Sequence, residues 1–182
     1  MPPNQKNKAA YFQDSLVKRV LNEAKEKYNS YNTNDWIQAG FDEFSGGYRV
    51  YHKEHQFDLS IGKFGIPRGD YEKNASEVLI RYGMSVVLNS EKSEYRKKVS
   101  DGLLNNLLFD IKGIEGKSNR IIKDKISEAS KQGAEIVVLY FHDKDMFDID
   151  FVRAGYEKYL TNSKSKRVKK IYCVVGKHLY RV

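Results

Sequence analysis

The chain has 182 residues, enough for one domain with its own core, and is 40% hydrophobic and 31% charged, as globular proteins are. A single cysteine excludes a disulfide framework and a zinc centre built on several thiolates, and no apolar run is long enough to span a membrane. A net charge of +8 fits a polyanionic partner, nucleic acid first and an anionic membrane second.

Residues 1–8 are polar and are expected to be disordered. Residues 9–28 read as an amphipathic helix, with Phe12, Leu16, Val20 and Ala24 at near four-residue spacing. The polar stretch from Asn29 to Asp35 breaks it, giving an N-terminal unit of residues 1–35 ahead of a domain over 36–182, with its core at 70–142. Tyr48-Arg-Val-Tyr-His52 follows a glycine pair and reads as a strand. A helix over 70–82 is expected to be capped by Asp70, buried through Ala75, Val78, Leu79 and Tyr82, and stopped by Gly83. Met84 to Leu88 is a strand, and Asn89 to Lys98 a charged connection. Asn119 to Gln132 is a helix with Ile122, Ile126 and Ala129 inward. Glu135–Phe141 is a strongly apolar strand of the kind found at the centre of a sheet. Residues 148–160 are spaced as a helix facing inward through Ile149, Val152, Tyr156 and Leu160. Ile171–Val175 and His178–Val182 close the chain as a hairpin around Gly176. Cys173, inside an apolar strand, reads as a buried structural thiol. The element order from residue 70 is helix, strand, strand, strand, helix, strand. It predicts an α+β (mixed α/β) fold, a central mixed sheet flanked by helices.

The stretch Val99–Lys112 is the organising feature. Asn105-Asn106 makes a two-residue turn, because asparagine tolerates the positive φ that such a turn demands. That turn fixes the register. Leu104 faces Leu107, Leu103 faces Leu108, and Asp101 faces Asp110. Side chains alternate along a strand, so Asp101, Leu103, Leu108, Asp110 and Lys112 share one face. Gly102, Leu104, Leu107, Phe109 and Ile111 share the apolar other. Opposed like charges are unfavourable in a sheet, and a chain that keeps them usually needs them for a proton, a cation or a metal ion. Glu72 lies beside the inward stripe of its helix and could join them, while Glu77 points away. His52 and His55 are candidates for acid–base or metal work. The basic loop Lys164, Lys166, Arg167, Lys169 and Lys170, with Lys117 and Arg120, is a candidate phosphate-tracking surface.

Asp101, then Asp110-Ile-Lys112, then a helix carrying Gln132, resembles the core of the PD-(D/E)xK nucleases, with Glu72 as the acid of the first helix; Ser100 stands where that pattern has proline. The resemblance implies a divalent metal, Mg in the first instance, on Asp101, Asp110 and Glu72, with Lys112 positioning or activating water. A longer run, Asp101-Gly-Leu-Leu, Phe109-Asp-Ile-Lys-Gly113 and Lys131-Gln-Gly-Ala-Glu-Ile-Val-Val-Leu139, resembles the C-terminal toxin domain of contact-dependent inhibition proteins. Related domains are appended to phage head-morphogenesis and mobile-element proteins. That resemblance implies a nuclease acting on RNA, tRNA above all, with an immunity protein as partner. It also implies delivery to a target-cell cytoplasm or association with phage; the chain alone, which opens on Met-Pro-Pro-Asn-Gln-Lys with no apolar leader, is expected in the cytoplasm. Some such toxins have the barnase–EndoU–colicin–RelE fold and need no metal; for these, His52 and His55 would be the acid–base pair, with Lys112 on the phosphate. The alternatives are a metal-dependent DNase and a non-catalytic domain that binds nucleic acid or a phage partner.

Overall fold

The computed structural model describes residues 5–90, 100–163 and 166–182, with side chains described from Asp14 onward. The expected connection after Asn89 and the loop residue Lys164 fall largely or wholly outside these residues. The chain forms α1 (Gln5–Asn29), β1 (Trp36–Phe41), β2 (Tyr48–His52), α2 (Arg68–Arg81), β3 (Ser85–Leu88), β4 (Gly102–Leu104) and β5 (Leu107–Gly113). It continues through α3 (Asn119–Lys131), β6 (Ile136–Phe141), a short 3-10 turn, α4 (Ile149–Asn162), β7 (Lys170–Val175) and β8 (His178–Arg181). All eight strands lie in one sheet in sequence order. Pairing is parallel between β2 and β3 and among β5, β6 and β7, and antiparallel elsewhere. The fold is α+β, with a mixed sheet and four α-helices, as the sequence order predicts.

Each parallel step is bridged by a helix, as a parallel crossover requires. One face of the sheet packs on α2, whose Tyr71, Ala75, Val78 and Leu79 meet Leu104, Phe109, Ile111 and Val138. The opposite face is covered at one end by α3 and α4, whose Ile122, Ile126, Val152 and Tyr159 meet Val137, Leu139 and Cys173. At the other end, Tyr28 of α1 lies against Phe41 and Tyr48. Between these two covers sit Leu103 and Leu108, and Leu108 is 39% exposed there. Among the described residues the helices therefore leave Leu108 uncovered at the β4–β5 hairpin.

The hairpin has the expected register, with Leu104 opposite Leu107, Leu103 opposite Leu108 and Gly102 opposite Phe109. Asn105 and Asn106 both take positive φ, 49° and 66°. Several expectations need correcting. Residues 5–8 belong to α1 rather than to a disordered tail. Strand β1 was not expected, because its register slips between Gln38 and Gly40 and its alternation is broken. Pro67 rather than Asp70 opens α2, and Asp70 instead bonds Lys73 one turn on. Tyr82 is half-exposed because Gly83 (φ 76°) turns the chain just beyond it. In α4 the buried residues are Val152, Gly155 and Tyr159, so the inward stripe runs through Tyr159 and leaves Leu160 at the surface.

Candidate active site

Strand β4 is three residues long while β5 runs to Gly113. Beyond Gly102 the chain does not continue the ladder. The Ser100 amide turns away to donate to the Gln132 carbonyl at the end of α3, at 3.2 Å. The Ile111 amide is left facing the vacated side, and the Asp101 carboxylate takes its hydrogen bond at 2.7 Å. Asp101 thus does locally what a strand carbonyl would do. Gly102 allows β4 to run tight against β3, since a Cβ there would meet the Val87 carbonyl oxygen at 1.9 Å.

Asp110 lies across from Asp101 and is buried, 1% exposed. Burial, the Asp110 charge and the Glu72 charge, in that order, push the Asp101 carboxyl well above the usual carboxylate range, against the Ile111 amide, which lowers it. Lys112 Nζ stands 2.8 Å from Asp110 Oδ2, donates to Gln132 Oε1 at 2.8 Å, and lies 3.5 Å from Glu128 Oε1. Three acceptors around one ammonium match its three donors. Burial, the largest single influence, works against the charge on Lys112, but Asp110, Asp101 and Glu128 together outweigh it and the pKa is raised. Lys112 is therefore a fixed cation and not a base.

Glu72 comes from α2, and its charge is felt at Asp101. Its Oε1 lies 3.0 Å from His55 Nε2, with Glu72 13% and His55 0% exposed at the side chain. His55 Nδ1 donates to the Asn89 carbonyl at 2.8 Å, which fixes the ring. Glu77 instead pairs with Arg81 at the surface.

The other candidates fall elsewhere. The His52 ring packs edge-on to Trp36 and its Nδ1 accepts the Glu54 amide, so it serves the end of β2. Lys117 and Arg120 lie at the start of α3, and Gln132 at its end, roughly 18 Å apart by helix rise. Lys117 lies over the Phe151 ring and Arg120 beside Asp124. At the Gln132 end, Lys166 and Arg167 are exposed, Lys169 is ion-paired with Glu135, and Lys170 begins β7. Gln132, expected on the substrate, accepts a hydrogen bond from Lys112. Glu128 was not anticipated; its signal is its place one turn before Gln132 on the same helix face. The Asn89 contribution is a backbone carbonyl, for which a sequence carries no sign.

The donor chemistry suits a hard divalent cation. Three carboxylates gather against one lysine and one histidine, and both Asp110 oxygens and Glu72 Oε1 are buried without a well-aligned hydrogen bond. Among the described residues no three His, Cys, Asp or Glu side chains form a ready-made ligand group. A site of the magnesium type commonly uses one or two carboxylates with substrate phosphate and water, and Asp101 and Asp110 supply two. Cys173 takes no part; burial pushes its thiol up to about 12.

No helix of the described residues is long and apolar enough to cross a membrane. No protein-family model matches the chain, and no curated protein matches it. Among solved structures it is similar to a CdiA-CT/CdiI toxin and immunity complex from Burkholderia pseudomallei, at 16% identity and a TM-score of 0.45, over 63% of this chain and 83% of that one.

Proposed function

We propose that the chain is a nuclease toxin domain that cleaves phosphodiester bonds, with RNA, tRNA in particular, as substrate. The observation that carries the nuclease reading is the meeting of Asp101, Asp110 and Lys112 where β4 stops short of β5, with Glu72 added from α2. Phosphodiester cleavage needs positive charge at the phosphate and groups that hold and move protons. Lys112 is a permanent ammonium held by Asp110, Gln132 and Glu128, and its charge would offset that of a phosphate at the site. Asp110 is within reach to orient the attacking water, and Asp101, whose carboxyl is pushed up by burial and then by Asp110 and Glu72, is the group placed to give a proton to the leaving oxygen. Where a divalent cation is used, Asp101 would give up its proton and join Asp110 and Glu72 in holding it, rather than act as the acid, and the cation would offset the charge on the phosphate. The substrate preference, the toxin role and an immunity partner rest on the sequence resemblance.

A metal-free ribonuclease is the second reading, favoured by the buried His55–Glu72 pair. In RNA the 2′-hydroxyl is the nucleophile, and an imidazole and a carboxylate suffice for its protons. One experiment separates the readings. Purified protein is incubated with a tRNA pool and with plasmid DNA, with and without chelator, beside Asp110→Ala. Cleavage lost in the variant and in chelator, and restored by magnesium, supports the cation-dependent nuclease. Cleavage of RNA alone that survives chelator supports the metal-free one. Intact RNA and DNA under every condition, with Asp110→Ala binding as well as or better than the parent, would leave only a binding domain.

A further inference from the structure

Between β2 and α2 the chain crosses residues 53–67 without a helix or strand. A long irregular passage inside a compact domain is commonly functional. This one is held in shape. His55 is fixed on the Asn89 carbonyl, Gly69 N donates to Asp58 O at 2.7 Å, and Arg68 N donates to Ser60 O at 2.9 Å. Lys63 is tied through its amide and its ammonium to Glu115. Yet the same passage holds Leu59 80% and Ile61 61% exposed. Two large apolar side chains stand two residues apart in water on a loop held by hydrogen bonds.

Beside Leu59 is a groove of about 610 Å³, lined by Gln56, Phe57, Asp58, Leu59 and Lys73. The groove begins one residue beyond each partner of the His55–Glu72 contact, since Gln56 follows His55 and Lys73 follows Glu72. The Phe57 ring stands edge-on to His55 at 4.8 Å, and the Lys73 ammonium lies 4.8 Å above that ring. Lys73 covers one face of that ring, so what the groove offers a base is apolar contact from Leu59 and the edge of Phe57, edge hydrogen bonding from the Gln56 amide, and the Lys73 ammonium. Asp58 and Asp70 are nearby carboxylates, the latter 3.1 Å from Lys73 Nζ, so the groove favours the base over the phosphate. A paired base hides its faces in the stack and shows only its edges. Apolar walls therefore need a base that is unpaired.

Building on the nuclease reading, we propose that this groove seats an unpaired base next to the scissile phosphate, so that the substrate is single-stranded or looped and not a continuous duplex.

The test has two arms. The first compares cleavage of a short single-stranded RNA, the same sequence as a blunt duplex, and a hairpin carrying it in the loop, by the parent protein, Leu59→Ser and Phe57→Ala. The proposal expects the single strand and the loop to be cut and the duplex spared. It expects KM to rise about ten-fold in each variant with kcat unchanged, as lost apolar contact with a base would give. Leu59 is exposed, so its substitution does not threaten the fold even if Phe57→Ala does. The second arm measures binding of the same strands to Asp110→Asn by fluorescence anisotropy, with and without Leu59→Ser. Cleavage with equal use of duplex and single strand, or with KM unmoved by Leu59→Ser, overturns the groove and leaves the nuclease standing. Absence of all cleavage, with single-strand binding that Leu59→Ser weakens, overturns the nuclease and leaves the groove.

Discussion

His55 Nε2 lies 3.0 Å from Glu72 Oε1 while its Nδ1 donates to the Asn89 carbonyl, so the ring faces an acceptor on each side. Removing one member of such a buried polar contact leaves the other without its partner in a dry site, at a cost of about 1–3 kcal/mol. His55→Leu is expected to lose stability on that scale in urea unfolding, and His55→Leu with Glu72→Leu to regain most of it. A double variant no more stable than the single one would show that the pair is not the reason.

Asp101 sets a pH dependence. Its folded-state pKa is raised, above all by burial and then by Asp110 and Glu72, so the native state holds its proton more tightly than the unfolded chain does. The stability it contributes is full below the unfolded carboxylate value and is lost as pH rises through the folded one. Unfolding free energy without added cation is expected to decline across that interval, and Asp101→Asn to flatten the decline. Denaturation midpoints at a series of pH values check this; a parallel profile in the variant would refute it.

Lys112 is aimed by its neighbours. Gln132→Leu removes one acceptor and leaves Asp110 and Glu128, so the ammonium is expected to stay charged but to lose its direction. Misplacement of a positioned group lowers turnover more than binding. About a ten-fold drop in kcat with little change in KM is the expected result, with Gln132→Glu recovering part of it. An equal rise in KM would instead put Gln132 on the substrate.

The basic residues divide by location. Lys166 and Arg167 are exposed near the Gln132 end of α3, and Lys117 and Arg120 are at the other end. Each phosphate contact to a single strand contributes about 0.7 to the slope of log affinity against log salt. Replacing Lys166 and Arg167 by alanine is expected to flatten the slope by about 1.4 if each neutralises one phosphate. The Lys117→Ala, Arg120→Ala pair is expected to leave it unchanged. Binding isotherms at several salt concentrations read the difference.

The sequence was most legible where a local rule had one outcome. Two adjacent asparagines admit a tight turn, the turn sets the register, and the register puts Asp101 across from Asp110. The inward stripe of α2 likewise distinguished Glu72 from Glu77. Long-range choices left less trace. Gln132 meets Lys112 only because α3 crosses back over the sheet, and a lysine does not announce which acceptors will surround it. His52 and His55 look alike in the chain; one meets Trp36 across β1 and the other a carboxylate from α2. The irregular β1 hid its own partner.

The shortness of β4 gives the molecule a built-in reporter. The Ile111 amide is protected by a side chain, Asp101, where its neighbours in the sheet are protected by backbone. A carboxylate can rotate away without any strand separating, so this hydrogen can exchange with solvent through a motion far smaller than unfolding. Whatever draws Asp101 toward a cation or a phosphate withdraws the acceptor from Ile111. The exchange rate of that one amide, followed by deuterium labelling against those of Phe109 and Val138, would register occupation of the site in a protein whose fold has not moved.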